Sequence, residues 1–136
     1  MQITVSTQQG RVPVTVMHLE GDLDASNYTD AIYKAQELYN DGARDLILDL
    51  GKVPYISSAG LMAVHSIALI FSGEQAVGRE GERPSFRAVD MQRDRMARQH
   101  VKLLNPQPQV EKVLEIVGLA QFFNIFSELQ SAVNSF

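Results

Sequence analysis

The stretch "RDLILDLGKVPYISSAGLMAVHSIALIF", Arg44 to Phe71, decides how the chain folds. Its first part, "RDLILDL", is short and nearly all apolar, the pattern of a strand buried on both faces of a parallel sheet. "GKVPYI" then breaks the run. Two adjacent serines follow, and from Ser57 to Phe71 there is no Lys, Arg, Asp or Glu. A Ser at a helix start accepts a hydrogen bond from an orphan amide, so Ser57 or Ser58 caps a helix that runs to about Phe71. A buried strand feeding a helix is the unit of an α/β sheet.

The flanking sequence repeats that unit. Ile3 to Ser6 and Val12 to Leu19 read as strands around "TQQGR", a turn in which Gly10 is available for positive φ. An antiparallel hairpin therefore opens the chain. "EGDLDASN" interrupts the pattern, and Asp24 or Ser26 caps a helix with Tyr28, Ile32, Ala35 and Leu38 or Tyr39 at helical spacing. Gly42 suits a left-handed stop. After Arg44 to Phe71, "VKLLN" resumes strand character. "PQPQVEKVLEIVG" is a helix with Val110, Val113, Leu114 and Val117 on one face, closed by Gly118. "FFNIF", Phe122 to Phe126, reads as a last strand, and Ser127 as the cap of a final helix. The expected fold is α/β: a mostly parallel sheet of about five strands with an N-terminal antiparallel hairpin and about four helices, joined by right-handed crossovers.

The totals fit this. The 136 residues suit one domain, 1–136, able to bury roughly 68% of its unfolded surface. One segment stands apart. About Glu74 to His100 is Arg-rich, and a structureless connection of that length is unusual in a compact domain, so it reads as an insertion. A solvated loop of balanced charge is its plain reading.

Composition narrows the chemistry. The net charge of −4 argues against nucleic acid, which needs a basic face. No cysteine is present, which removes disulfides, thiolate metal sites and cysteine nucleophiles. His18, His65 and His100 stand in no ligand-spacing motif, so no metal is expected, and His18 reads as structural. No G-x-S-x-G elbow and no phosphate-binding glycine loop occurs. A Ser58–His65–Asp24 triad fails on distance, because seven residues of helix separate hydroxyl and imidazole by roughly 10 Å. The chain reads as a non-enzyme without cofactor. The N-terminus lacks a signal-peptide pattern and the uncharged run is too short to span a membrane, so a cytoplasmic protein is expected.

The serine pair then carries the functional reading. A helix N-terminus has a partial positive charge and free N–H groups, so a phosphoryl group is accommodated there. It would add nearly two negative charges to the rim where open parallel sheets bind ligands. Asp22 and Asp24 should share that rim. The uncharged helix behind the serines must be covered, either by other helices or by a partner.

Three pieces in order, "EGDLDASN", "DLILDLGKVPYISSAGL" and "NPQPQVEKVLEIVGLAQFFNIF", resemble the STAS domain of bacterial anti-sigma factor antagonists. The resemblance covers most of the chain. It implies a protein-binding switch that regulates transcription. The unphosphorylated domain binds an anti-sigma factor that is also a serine kinase; ATP-dependent phosphorylation releases it, and a PP2C-type phosphatase restores it. The family's phosphoserine lies two residues before the motif glycine, which is Ser58 here, with Ser57, Ala59 and Gly60 adjacent. Asp22, Asp24, Ser26, Asn27, Leu61 and Met62 would form the docking rim. Many antagonists carry Asp immediately before the phosphoserine, where this chain has Ser57. The alternative is a non-phosphorylated STAS interaction or scaffold module whose Arg-rich insertion recognises the partner.

Overall fold

The computed structural model describes residues 1–73 and 99–136. Strands β1 (Gln2–Gln9) and β2 (Pro13–Glu20) form the expected hairpin, paired antiparallel from Gln2↔Glu20 to Gln9↔Pro13. Helix α1 (Tyr28–Asn40) carries the chain to β3 (Leu46–Lys52), which lies parallel to β2. Helix α2 (Ser58–Phe71) follows, and β4 (Val101–Leu104) pairs parallel with β3. Then come α3 (Pro108–Ile116), the short α4 (Leu119–Phe122), β5 (Ile125–Phe126) and α5 (Leu129–Asn134). The sheet order is β1-β2-β3-β4-β5. The fold class is the one expected, with five helices among the described residues rather than about four.

Period-two alternation builds two cores of unequal size. Met17 and Leu19 of β2, Leu46, Leu48 and Leu50 of β3, and Val101 and Leu103 of β4 join residues of α1, α2 and α3 in the larger core. Val14, Val16, Ile47 and Leu104 point the other way and meet Ala132 and Val133 of α5. β3 is thus buried on both faces, as its apolar run demanded. Asp49 is the exception, and it is used. Its Oδ2 lies 2.7 Å from His18 Nδ1, and the other ring nitrogen lies 2.9 Å from Ser6 Oγ. Asp49 Oδ1 also accepts from Gly51 N at 3.0 Å. His18 is structural, as expected: it ties three neighbouring strands together. His100, beside the Arg-rich segment, is joined to Asp45 at 2.9 Å.

Several local expectations are corrected. Gly10 does not have positive φ. A Cβ there would lie 2.9 Å from Val133 Cγ1, so the glycine admits α5 rather than a special turn. Gly42 and Gly118 do end helices with φ of 110° and 87°. Neither Asp24 nor Ser26 caps α1; the cap position is Asn27, without a side-chain cap bond. Ser127 does not cap α5, whose cap position is Glu128. Val117 leaves the buried face of α3 and is 51% exposed. The strand expected over Phe122 to Phe126 shrinks to two residues. Aromatic β-propensity suggested it, but packing decides: Gly118 restarts a helical turn, Phe123 N bonds Leu119 O, and Phe123 is 3% exposed. The Arg-rich insertion at about 74–100 lies outside the described residues, except for 99 and 100.

Candidate functional site at the start of helix α2

The site begins with a backbone clasp. Leu23 forms an isolated parallel bridge with Ile56. Leu23 N donates to Tyr55 O, and Ser57 N donates to Leu23 O, both at 3.0 Å. These bonds hold the loop after β2 against the entry to α2. The Asp22–Asn27 loop and the two serines therefore share one rim, as the sequence suggested.

The clasp is close enough to require a glycine. A Cβ on Gly60 would lie 2.5 Å from Leu23 O, 2.7 Å from Ile56 Cγ1 and 3.0 Å from Leu23 Cγ. Gly60 lets the first turn of α2 rest on the loop backbone. Its conformation is ordinary helix; space is what it supplies.

The two serines have different surroundings. Ser57 is the N-cap, extended at φ −89° and ψ 176°, and its Oγ accepts from Gly60 N at 3.2 Å. Ser58 is the first helical residue and is exposed. No partner for its hydroxyl occurs among the described residues. The choice left open by the sequence is settled for the cap: it is Ser57. An Asp before a phosphoserine could fill the same cap position with a carboxylate oxygen, since Asp and Ser are both strong N-caps.

On the neighbouring loop, Asp24 is held by its own turn. Its Oδ1 accepts from Ser26 N at 2.9 Å and from Ser26 Oγ at 2.5 Å. Asn27 Oδ1 accepts from Asp24 N, and Asn27 Nδ2 donates to Asp22 O. The Ser26 hydroxyl, then its backbone N–H, lower the Asp24 pKa from 3.8. The sign follows directly. A depressed carboxyl pKa adds order to the loop above 3.8, and that order is lost as pH falls through the lower folded value. Ser26→Ala removes the larger cause and should raise the Asp24 midpoint towards 3.8, read from side-chain carboxyl shifts in an NMR pH titration.

Ser58 and Met62 lie on one side of α2, four residues apart. Met62 is partly exposed, while Leu61 is 5% exposed and belongs to the larger core. The remainder of α2 is also internal, from Ala63 to Phe71. Tyr39 of α1 packs edge-on against Phe71 with centroids 5.4 Å apart, and Phe122 of α4 sits 5.8 Å from His65. Other helices of the chain cover this uncharged helix, so only its first turn and Met62 reach the surface. α4 was the element missed in the sequence; "LAQFF" was masked by its aromatic strand character.

No group of three or more metal-ligating side chains occurs among the described residues, and no described helix is long and apolar enough to cross a membrane. A cavity of about 300 Å³ is lined by Thr4, His18, Leu19, Glu20, Asp49 and Lys52, none of them a residue of the α2 site.

Comparison with known proteins agrees with this arrangement. Residues 4–70 match the family model of the STAS domain. No curated protein matches the chain by sequence. Among solved structures, a putative anti-sigma factor antagonist from Thermotoga maritima is similar at 18% identity and a TM-score of 0.68, covering 96% of this chain and 90% of that one. The anti-sigma factor antagonist SpoIIAA in its unphosphorylated form is similar at 18% identity and TM-score 0.58, over 98% of this chain and 96% of that one. The Bacillus cell fate determinant SpoIIAA in the phosphorylated form gives 17% and 0.60, over 98% and 97%. At these identities the structural likeness carries the fold. The family match falls on the hairpin, the Asp22–Asn27 loop, β3 and nearly all of α2; residues 4–70 belong to the STAS domain family.

Proposed function

We propose that this chain is an anti-sigma factor antagonist: a single STAS domain, 1–136, that binds an anti-sigma factor serine kinase when unphosphorylated and is released by phosphorylation of Ser58. One observation carries the assignment of the serine. Ser57 Oγ is committed to Gly60 N, whereas the Ser58 hydroxyl is exposed on the first turn of α2. The reaction moves the γ-phosphoryl of ATP to Ser58 Oγ, with loss of the hydroxyl proton and departure of ADP. The first-turn amides of a helix are orphan donors and suit the new phosphate oxygens. The fold tolerates the group while the rim changes charge, which is what a switch requires.

Asp22, Asp24, Ser26, Asn27 and Met62 are the proposed docking rim, with Ala59 and Gly60 flanking the phosphosite. Leu61 supports that rim from the core. A PP2C-type phosphatase returns the chain to its binding form. The likeness to SpoIIAA in both its phosphorylated and unphosphorylated forms supports a switch of this kind.

The test is phosphotransfer. Incubation with the cognate kinase and ATP adds one phosphate to the wild-type chain, read as an intact-mass increase. Ser58→Ala takes up none and Ser57→Ala still takes up one. Phosphate incorporation into Ser58→Ala at the wild-type rate would refute the assignment.

A further inference from the structure

Strand β1 stands at one end of the sheet order, and its outer edge has no strand beside it among the described residues. Natural edge strands are usually blunted by charge, proline or a bulge, because unpaired N–H and C=O groups invite another strand. β1 has none of these devices. "QITVSTQQ" holds no charged residue and no proline, and its pairing with β2 is unbroken over all eight residues. Every second residue of such a strand turns its N–H and C=O away from its neighbour.

We propose that β1 is a dimerisation edge, taken by β1 of a second copy of this chain running antiparallel to it. One feature selects the second copy over another strand. The polar side chains of β1 are all Gln, Ser or Thr, each both donor and acceptor, with no net sign to favour a charged partner. Such a row complements itself. The register of such a pair is constrained. Outward-facing residues must meet outward-facing residues, so paired positions sum to an even number. A two-fold axis at Val5 meets this condition, giving Gln2↔Gln8, Ile3↔Thr7, Thr4↔Ser6 and Val5↔Val5.

Val5 is the apolar residue that this register uses. It pairs with Met17 inside the chain, on the face of the larger core, yet it is 38% exposed. Against a copy of itself it gains a β-branched cross-strand neighbour. The result is a continuous ten-stranded sheet with an isologous contact. α2 follows the central strand β3, so its first turn is not part of this edge.

Sedimentation of the full chain tests the proposal. Wild type moves from the 15.1 kDa chain mass to twice that mass as concentration rises. V5K and V5E each place like charges on the axis and raise the dissociation constant roughly tenfold or more. Far-UV circular dichroism of both variants matches wild type, because Val5 lies at the edge of the core. An equimolar mixture of V5K and V5E recovers the doubled mass, since the opposed charges now attract. A wild-type chain that stays at the single-chain mass at every concentration overturns the proposal. So does a V5K dimer as tight as wild type, or a mixture that fails to pair.

Discussion

Gly60→Ala lowers the melting temperature by about 8 °C, although the same change in most helices would raise it. The helix preference of Ala over Gly is worth about 1 kcal/mol. Against it stands a Cβ placed 2.5 Å from Leu23 O and 2.7 Å from Ile56 Cγ1. Overpacking of this kind costs about 1–3 kcal/mol, and the upper end applies where the obstacle is backbone. Leu23 O is doubly constrained, because it accepts from Ser57 N and its residue is bridged to Ile56. The net loss is about 2 kcal/mol, readable by calorimetry. Because relief requires α2 to lift from the loop, phosphorylation of the variant should also slow at temperatures where it is still folded. A melting temperature equal to or above wild type would show that the clasp does not constrain the helix.

Ser58→Asp weakens binding to the anti-sigma factor kinase about tenfold, and phosphorylation of Ser58 weakens it about 100-fold. The difference follows from charge. A phosphoserine carries about −1.5 to −2 at neutral pH, and an Asp carries one negative charge on a shorter arm. The rim already holds Asp22 and Asp24, the latter kept ionised by Ser26. A partner surface fitted to the exposed, neutral Ser58 hydroxyl must yield to the bulk of the new group and desolvate its charge, and burying an unpaired charge is costly; about 2.7 kcal/mol corresponds to 100-fold. Ser58→Ala should bind like wild type, since the hydroxyl contributes nothing to the fold of α2. Isothermal titration separates the three cases. Equal affinity of wild type and its phosphorylated form would remove the switch.

The fold was legible because its strongest signals are periodic. "RDLILDL" is apolar at consecutive positions because β3 is covered on both faces, and the hairpin alternates because β2 divides its side chains between two cores. Gly42 and Gly118 were readable because positive φ leaves a compositional trace. Gly10 and Gly60 were not readable as contact glycines, because what they avoid is distant in sequence: Val133 in one case and Leu23 in the other. The caps were misplaced for a related reason. Asp24 and Ser26 satisfy each other within the loop, so neither is free to cap α1. At the site, the sequence offered two adjacent serines with equal claims to the cap. The extended backbone of Ser57 and the hydrogen bond from Gly60 N to its Oγ distinguish them. Leu61 looked like a surface residue because an uncharged helix does not say which side faces the sheet; its partners in the core do.

ATP-driven release measures the central claim most directly. The chain is bound to its immobilised anti-sigma factor kinase, ATP and magnesium are added, and the departure of the chain is followed by surface plasmon resonance. Wild type and Ser57→Ala should dissociate once ATP is present, whereas Ser58→Ala should remain bound. Release of Ser58→Ala at the wild-type rate, or retention of the wild-type chain after ATP, would contradict a switch seated on Ser58.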